Sequence, residues 1–247
     1  MPIKKILISQ NAPSLMSPYQ SLTEKFGVEF VFNPFFTIEP LSSREFRSQR
    51  VNIADYTAII FSSRHCIDAF FRLAEEMRVK IPETMKYFCS TEAVAMYLQK
   101  HIVYRKRKIF YGTGTPDSIV ALIGPKHKGE KFLLTTADAN SVEALSSLLN
   151  EKKLDFTVAE IVKSVSRDLS GVNLNDFDMI VFYHSSDVRS LQDNFPDFKQ
   201  GDIKFISFGR SSVRAMEEAG IEIAVKAPTP EIPSVAKAIE LYLKENA

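Results

Sequence analysis

Short pairs of serine and threonine residues recur in this chain, each directly after an apolar run and before a segment with helical spacing. The pairs are Ser62-Ser63, Ser90-Thr91, Thr113 with Thr115, Ser185-Ser186 and Ser211-Ser212. Hydroxyl and backbone N–H groups at a helix N-terminus bind carboxylates, because the helix dipole places partial positive charge there. The pattern therefore predicts anion-binding turns at the carboxyl ends of strands. Each pair is equally compatible with a simple N-cap, in which the hydroxyl serves only its own helix.

Patterns for other site chemistries are weak or missing in the sequence. The four histidines have no zinc-ligand spacing, although His184 follows a strand and is a candidate to face a ligand or to cap a helix. Cys66 and Cys89 are too few for a disulfide framework and are expected to be buried apolar residues. Gly112-x-Gly114 lacks the third glycine and the acidic partner of a dinucleotide site, and there is no P-loop.

The composition is that of an ordinary globular protein. The chain has 247 residues, of which 45% are hydrophobic and 25% charged, with a net charge of +1. This charge gives no field that would favour nucleic acid or a membrane surface, and no signal peptide or membrane span is expected. The basic run 104–108 fits a solvated approach to a strand better than an RNA site, although it would also attract an acidic substrate or partner. The expected compartment is the cytoplasm.

Apolar strands alternate with amphipathic helices throughout, which predicts parallel sheets covered by helices on both faces. The stretch 203–239 shows the pattern best: a strand, a polar turn at Gly209, a helix that stops at Gly220, a second strand, and a helix capped by Ser234. A polar turn at the carboxyl end of a parallel strand, opening a helix, is where α/β proteins bind ligands. Thr135, at the end of a predicted strand, is a further candidate of this kind.

An internal repeat determines the predicted architecture. The matching segments are 58–71 with 179–191, 87–98 with 206–217, 108–123 with 224–239, and 4–35 with 130–161. The repeated parts occur in the order short unit, long unit, short unit, long unit. This order predicts a discontinuous domain (1–35 and 168–247), an inserted domain (40–162), and linkers at 36–39 and 163–167 that pair as two strands. The alternative is one long doubly wound sheet.

The repeat makes a specific prediction about strand pairing. Ile6 is expected in the same sheet as Val181, and Leu133 in the same sheet as Ile60. If residues 1–130 formed one compact domain alone, neither pairing would occur.

Two segments carry a resemblance to a known family. IIFSSRHCIDAFF (59–71) and FGRSSVRAMEEAGIEIAVKAPTP (208–230) are similar to the strand–turn–helix motifs of the uroporphyrinogen-III synthase family. The resemblance covers the whole chain, although its motifs are short. It implies two α/β domains of doubly wound parallel sheet, joined by a two-stranded linker, with the active site in the interdomain cleft.

The resemblance also implies a reaction and a set of site residues. The family closes hydroxymethylbilane, a linear tetrapyrrole, into uroporphyrinogen III with loss of water and inversion of the last ring, and it needs no metal or organic cofactor. The substrate carries eight carboxylates, so the polar turns become its expected binding sites, and a monomeric enzyme is expected. The expected substrate-binding residues are Ser62, Ser63, Ser90, Thr91, Thr113, Thr135, Ser185, Ser186, Gly209, Ser211 and Ser212.

This sequence departs from the family at several positions that bear on catalysis. The tyrosine frequent in the family's return linker falls at Val162, which has no hydroxyl. Ser212 stands where the family has threonine, and its hydroxyl and N–H are expected to face the ligand as a catalytic group. Tyr183 or a water then becomes the candidate proton donor. The alternative function is a two-domain binding module that closes on a small anionic ligand without chemistry.

Overall fold

The computed structural model describes residues 2–246, with the backbone alone at Asn140. The strands are β1 (Lys5–Ile8), β2 (Glu29–Phe32), β3 (Phe36–Pro40), β4 (Ala58–Phe61), β5 (Lys86–Cys89), β6 (Ile109–Tyr111), β7 (Lys131–Thr136), β8 (Asp155–Glu160), β9 (Val162–Ser166), β10 (Met179–Phe182), β11 (Lys204–Phe208) and β12 (Ile223–Ala227). The helices are α1 (Ser17–Phe26), α2 (Ser43–Ser48), α3 (Arg64–Glu76), α4 (Glu92–Tyr97), α5 (Pro116–Ile123), α6 (Glu143–Glu151), α7 (Ser185–Asn194), α8 (Arg210–Glu218) and α9 (Val235–Glu245).

The chain divides into two compact units. The first unit contains residues 1–37 and 165–247, and the second contains residues 38–164. The strands β3 and β9, in which the two divisions fall, pair with each other as a two-stranded sheet.

Each unit contains one five-stranded parallel sheet. The strand order is β12-β11-β10-β1-β2 in the first unit and β6-β5-β4-β7-β8 in the second. Ile8 pairs with Val181 and Ile6 with Met179, while Ile60 pairs with Leu134 and Ile59 with Leu133. The pairing predicted from the repeat is therefore confirmed, and so are the two parallel-sheet domains. A single long sheet is excluded within the described residues.

The central strands are buried because helices cover both faces of each sheet. All four residues of β4 and all four of β10 are buried, as expected for inner strands of a parallel sheet. Along β10 the side chains alternate between two apolar layers: Ile180 and Phe182 face one, and Met179 and Val181 face the other. Each sheet thus supplies a rigid base whose carboxyl edge carries the polar turns.

Local signals in the sequence fix most helix boundaries. Ser63, Thr91 and Ser234 cap α3, α4 and α9 through their hydroxyls. Gly27, with φ +67°, ends α1 in the left-handed conformation. The last strand of the inserted unit, β8, is separated from the linker strand β9 only by Ile161.

Both cysteines are buried and free, as predicted. Burial raises the pKa of the Cys89 thiol to about 12. Within residues 2–246, no helix combines the length and apolar character that crossing a bilayer requires.

Candidate functional site

The strand order creates a switch point in each unit. In the first unit, β1 leads through α1 to β2 on one side, whereas β10 leads through α7 to β11 on the other. The chain therefore leaves β1 and β10 in opposite directions at the carboxyl edge of the sheet. Such a point is the usual ligand position in open α/β sheets. Ser9 follows β1 there, and residues 183–187 follow β10.

The turn after β10 is organised around a buried carboxylate. Asp187 has no exposed surface, and its Oδ2 accepts the backbone N–H groups of Tyr183 and His184, both at 2.9 Å. Burial raises the pKa of Asp187 to about 6, although these two N–H groups act against the rise. The Ser186 amide donates to Nδ1 of His184, which is the N-cap of α7. The protein's own groups thus occupy the place that the sequence assigned to a substrate carboxylate at Ser185-Ser186.

Tyr183 presents a protonated phenol at the same turn. Its hydroxyl interacts with that of Tyr19 in α1, and its ring packs edge-on against Phe208 with centroids 5.7 Å apart. Burial, followed by the neighbouring Tyr19 and Asp187, raises the pKa of Tyr183 well above its usual range. The Tyr183 hydroxyl therefore keeps its proton at neutral pH and can act as a hydrogen-bond donor.

The turn after β11 lies against the turn after β10. Gly209 has φ +151°, and a Cβ there would lie 2.7 Å from the Tyr183 carbonyl oxygen. Its N–H donates to the Ala227 carbonyl at 2.8 Å, which ties the turn to the end of β12. Only glycine fits such a conformation with so close a backbone approach.

The start of α8 has the features of an anion site. No side chain caps this helix, and both Arg210 and Ser211 in its first turn are exposed. The first amides of a helix have no partner within the helix, and a guanidinium binds a carboxylate through charge-assisted hydrogen bonds. Arg210 was not among the site residues predicted from the sequence, although its place directly after Gly209 at the start of a helix was an available signal.

Ser212 does not face outward. The residue has no exposed surface, and its Oγ donates to the Gly209 carbonyl at 2.9 Å and lies 2.5 Å from Oγ of Ser207. The prediction that this hydroxyl points at a ligand is wrong, because the first turn of α8 directs it back under its own loop. Its role in this conformation is to brace the Gly209 turn.

In the second unit the predicted hydroxyls form one chain along the sheet edge. Thr135 Oγ1 donates to the Ile60 carbonyl at 2.9 Å, and Ser62 Oγ donates to the Thr135 carbonyl at 3.1 Å. Ser90 Oγ then donates to the Ser62 carbonyl at 3.0 Å, and the Gly114 amide donates to the Ser90 carbonyl at 2.8 Å. As predicted, these turns lie at the carboxyl edge of one sheet. Their side chains, however, brace neighbouring turns, and Thr135 is fully buried.

The remaining candidates of the second unit mainly serve their own helices. Oγ of Ser63 accepts the Cys66 amide at 3.3 Å, and Oγ1 of Thr91 accepts the Val94 amide at 3.4 Å. Thr113 is exposed, and its amide donates to Ser118 Oγ at 3.0 Å. The sequence left open whether these hydroxyls bind a ligand or cap a helix. The geometry of Ser63 and Thr91 shows N-capping.

Two other sequence features have clear positions. Val162, where the family's tyrosine falls, is buried in the apolar core of the second unit and cannot donate a proton. In the basic run, residues 105–107 are exposed on the approach to β6. Among residues 2–246, no group of three or more potential ligands is arranged to hold a metal ion.

The molecule is thus of the class of two-unit α/β proteins whose parallel sheets carry polar turns at their carboxyl edges. The family model described as uroporphyrinogen-III synthase HemD matches residues 17–237. The chain therefore belongs to the uroporphyrinogen-III synthase family, whose members are enzymes of tetrapyrrole biosynthesis. No curated protein matches the sequence significantly.

Solved structures of this family share the fold. Uroporphyrinogen-III synthetase from Helicobacter pylori aligns over 98% of this chain and 100% of its own, with 17% identity and a TM-score of 0.56. A mutant uroporphyrinogen III synthase from the extremely thermophilic bacterium Thermus thermophilus aligns over 98% of this chain and 99% of its own, with 14% identity and a TM-score of 0.52. At these identities the likeness shows the fold alone.

Proposed function

We propose that the protein is a lyase that cyclises hydroxymethylbilane to uroporphyrinogen III, with loss of water and inversion of the last pyrrole ring. The observation that carries the proposal is the family match over residues 17–237. We further propose that it works in the cytoplasm, and, as the family resemblance implies, as a monomer without a cofactor.

The first turn of α8 is the proposed carboxylate site. A substrate carboxylate placed there meets the backbone amides of an uncapped helix start and the exposed Arg210 guanidinium. Gly209 lets the Tyr183 carbonyl pack closely against this turn, which fixes the position of the helix start. Holding the substrate carboxylates at fixed positions favours this reaction, because the enzyme must orient the substrate so that the correct ring carbon is attacked.

Tyr183 is the proposed proton donor. The leaving hydroxyl departs as water when it receives a proton, and the electron-rich pyrrole supplies the electrons that break the carbon–oxygen bond. Ring closure later releases a proton from the attacked pyrrole carbon, which restores the donor. A phenol whose pKa is raised by burial keeps its proton until a strongly basic group develops beside it.

A binding module without chemistry is the second candidate function, and the buried Val162 favours it. The two candidates differ in product. Hydroxymethylbilane is incubated with the protein, the products are oxidised, and the porphyrin isomers are separated by chromatography. If the protein is the cyclising enzyme, isomer III should form in excess over the isomer I that forms without catalysis. If only isomer I forms, at the rate seen with heat-denatured protein, the protein is not this enzyme and the binding module is the remaining candidate.

A further inference from the structure

A helix cap alone does not require a buried carboxylate such as that of Asp187. A capping box normally places its acidic side chain at the protein surface, as Glu45 does for α2. Asp187 instead has no exposed surface, and its Oδ1 has no hydrogen-bond partner among the described residues. A buried carboxylate with an unsatisfied oxygen destabilises a fold, so its presence needs a further reason.

The internal repeat supplies a comparison within the same molecule. In the segments 58–71 and 179–191, Ser63 corresponds to His184 as N-cap, and Cys66 corresponds to Asp187 at the third helical position. Cys66 is equally buried but carries no carboxylate, and at the start of α3 the Ser63 hydroxyl accepts the Cys66 amide as a side-chain cap. The turn therefore folds without a carboxylate in the second unit.

The groups around Asp187 come from three elements at the switch point. Oδ2 holds the amides of Tyr183 and His184 in its own turn. Ser9 faces it from the end of β1, and its buried hydroxyl favours the ionised carboxylate, against the effect of burial. Tyr19 of α1 reaches the same turn through the hydroxyl of Tyr183. The carboxylate thus fixes the backbone of the residue whose hydroxyl meets Tyr19.

We propose that Asp187 is a positioning residue, whose carboxylate holds the Tyr183 backbone so that the Tyr183 hydroxyl is set against Tyr19 for proton donation. The role in turnover rests on the proposed function, whereas the positioning itself does not. The ionised carboxylate forms two charge-assisted hydrogen bonds with backbone amides, and protonation weakens both. The raised pKa of Asp187, about 6, places this change within an accessible range of pH. Tyr183, His184 and Tyr19 are the titratable groups in the contacts described above.

Asp187→Asn tests the proposal because it keeps the shape and removes the charge. We expect kcat to fall by at least about tenfold, part of the 10²- to 10⁴-fold that a positioned proton donor contributes, with little change in KM. The pH dependence of kcat near pH 6 should disappear as well. Asp197→Asn, an exposed aspartate of the same unit, is the matched control and should behave like the wild type. Asp187→Cys, which installs the residue of the repeat, provides a second variant should Asp187→Asn not fold.

A second measurement does not depend on turnover. Burial raises the pKa of Tyr19, and the Tyr183 hydroxyl acts against this rise, so the titration of Tyr19 by NMR reports where the Tyr183 hydroxyl lies. We expect the pKa of Tyr19 to rise in Asp187→Asn, as in Tyr183→Phe. A folded Asp187→Asn protein with an unchanged Tyr19 titration would overturn the proposal, and so would wild-type kcat and pH profile. If the wild type itself makes no isomer III, the proposed function fails, and the Tyr19 titration alone decides on Asp187.

Discussion

Replacement of Gly209 by alanine is the sharpest test of the packing between the two turns of the first unit. The glycine has φ +151°, which a residue with a Cβ rarely adopts. A Cβ would also lie 2.7 Å from the Tyr183 carbonyl oxygen, so one of the two backbone turns must move. The substitution therefore affects the turn that presents Tyr183 as well as the turn that begins α8.

The magnitude follows from these two contributions. A residue held in a sparsely populated backbone region costs about 1–3 kcal/mol, and overpacking against a fixed neighbour costs about 1–3 kcal/mol more. We therefore expect Gly209→Ala to lower the free energy of unfolding by about 2–6 kcal/mol. Gly171, in the same unit, is the matched control, because it does not have a positive φ and its added Cβ would meet nothing within 4 Å. Gly171→Ala should stay within about 1 kcal/mol of the wild type.

Urea denaturation followed by far-ultraviolet circular dichroism measures both variants, since the chain has no tryptophan to report by fluorescence. The midpoint of the first unit should fall in Gly209→Ala and remain near the wild-type value in Gly171→Ala. Equal midpoints for the two variants would show that the turns after β10 and β11 are not packed as described.

Three further predictions concern stability and substrate binding. The pKa of Asp187 rises from its ordinary value of 3.8 to about 6 on folding, so its stabilising contribution is fully present below pH 4 and is lost as the pH rises to 6. Relative to the wild type, Asp187→Asn should thus gain about 3 kcal/mol between pH 4 and pH 7, measured by calorimetry; a pH-independent difference would contradict the buried charge. Ser212→Ala should lower stability by about 1–3 kcal/mol through the lost bonds to Ser207 and Gly209, without altering the isomer composition of the product. Arg210→Gln should raise KM more than it lowers kcat, in contrast to the exposed Arg214→Gln on the same helix; equal kinetics of the two variants would remove Arg210 from the site.

The fold was predictable because its signals are local and repeated. Buried strands such as β4 and β10 are continuous apolar runs, and their matching turns fix the order in which the repeated parts must assemble. The permuted repeat then determined which strands pair, without reference to any single contact. Residue types and their spacing were thus sufficient to predict the architecture.

The chemistry of the turns was less accessible, because it depends on side-chain direction and on distant residues. Ser212 and Thr135 are polar residues at the expected edge, yet the local backbone turns their hydroxyls inward. Asp187 has the sequence context of an ordinary capping residue, and only the packing of β1, far away in the chain, makes it a buried carboxylate beside Ser9. Neither the hydrophobic periodicity of the sequence nor a short motif encodes such a long-range contact.

The contact between Tyr19 and Tyr183 was missed for the same reason. The two residues are far apart in the chain and meet only because β1 lies next to β10 in the sheet. The available signal was the predicted pairing of β1 with β10, which places the start of α1 beside the turn after β10.

The isomer composition and rate of product formation by Tyr183→Phe test the central claim most directly. Wild-type protein, Tyr183→Phe and the control Tyr242→Phe, a tyrosine of α9 in the same unit, are each given hydroxymethylbilane, and the porphyrins are separated after oxidation. The wild type and Tyr242→Phe should give isomer III. Tyr183→Phe should close the ring about 10²-fold more slowly or worse, so that isomer I from uncatalysed closure accumulates. Isomer III formed by Tyr183→Phe at the wild-type rate would show that the proton comes from another group.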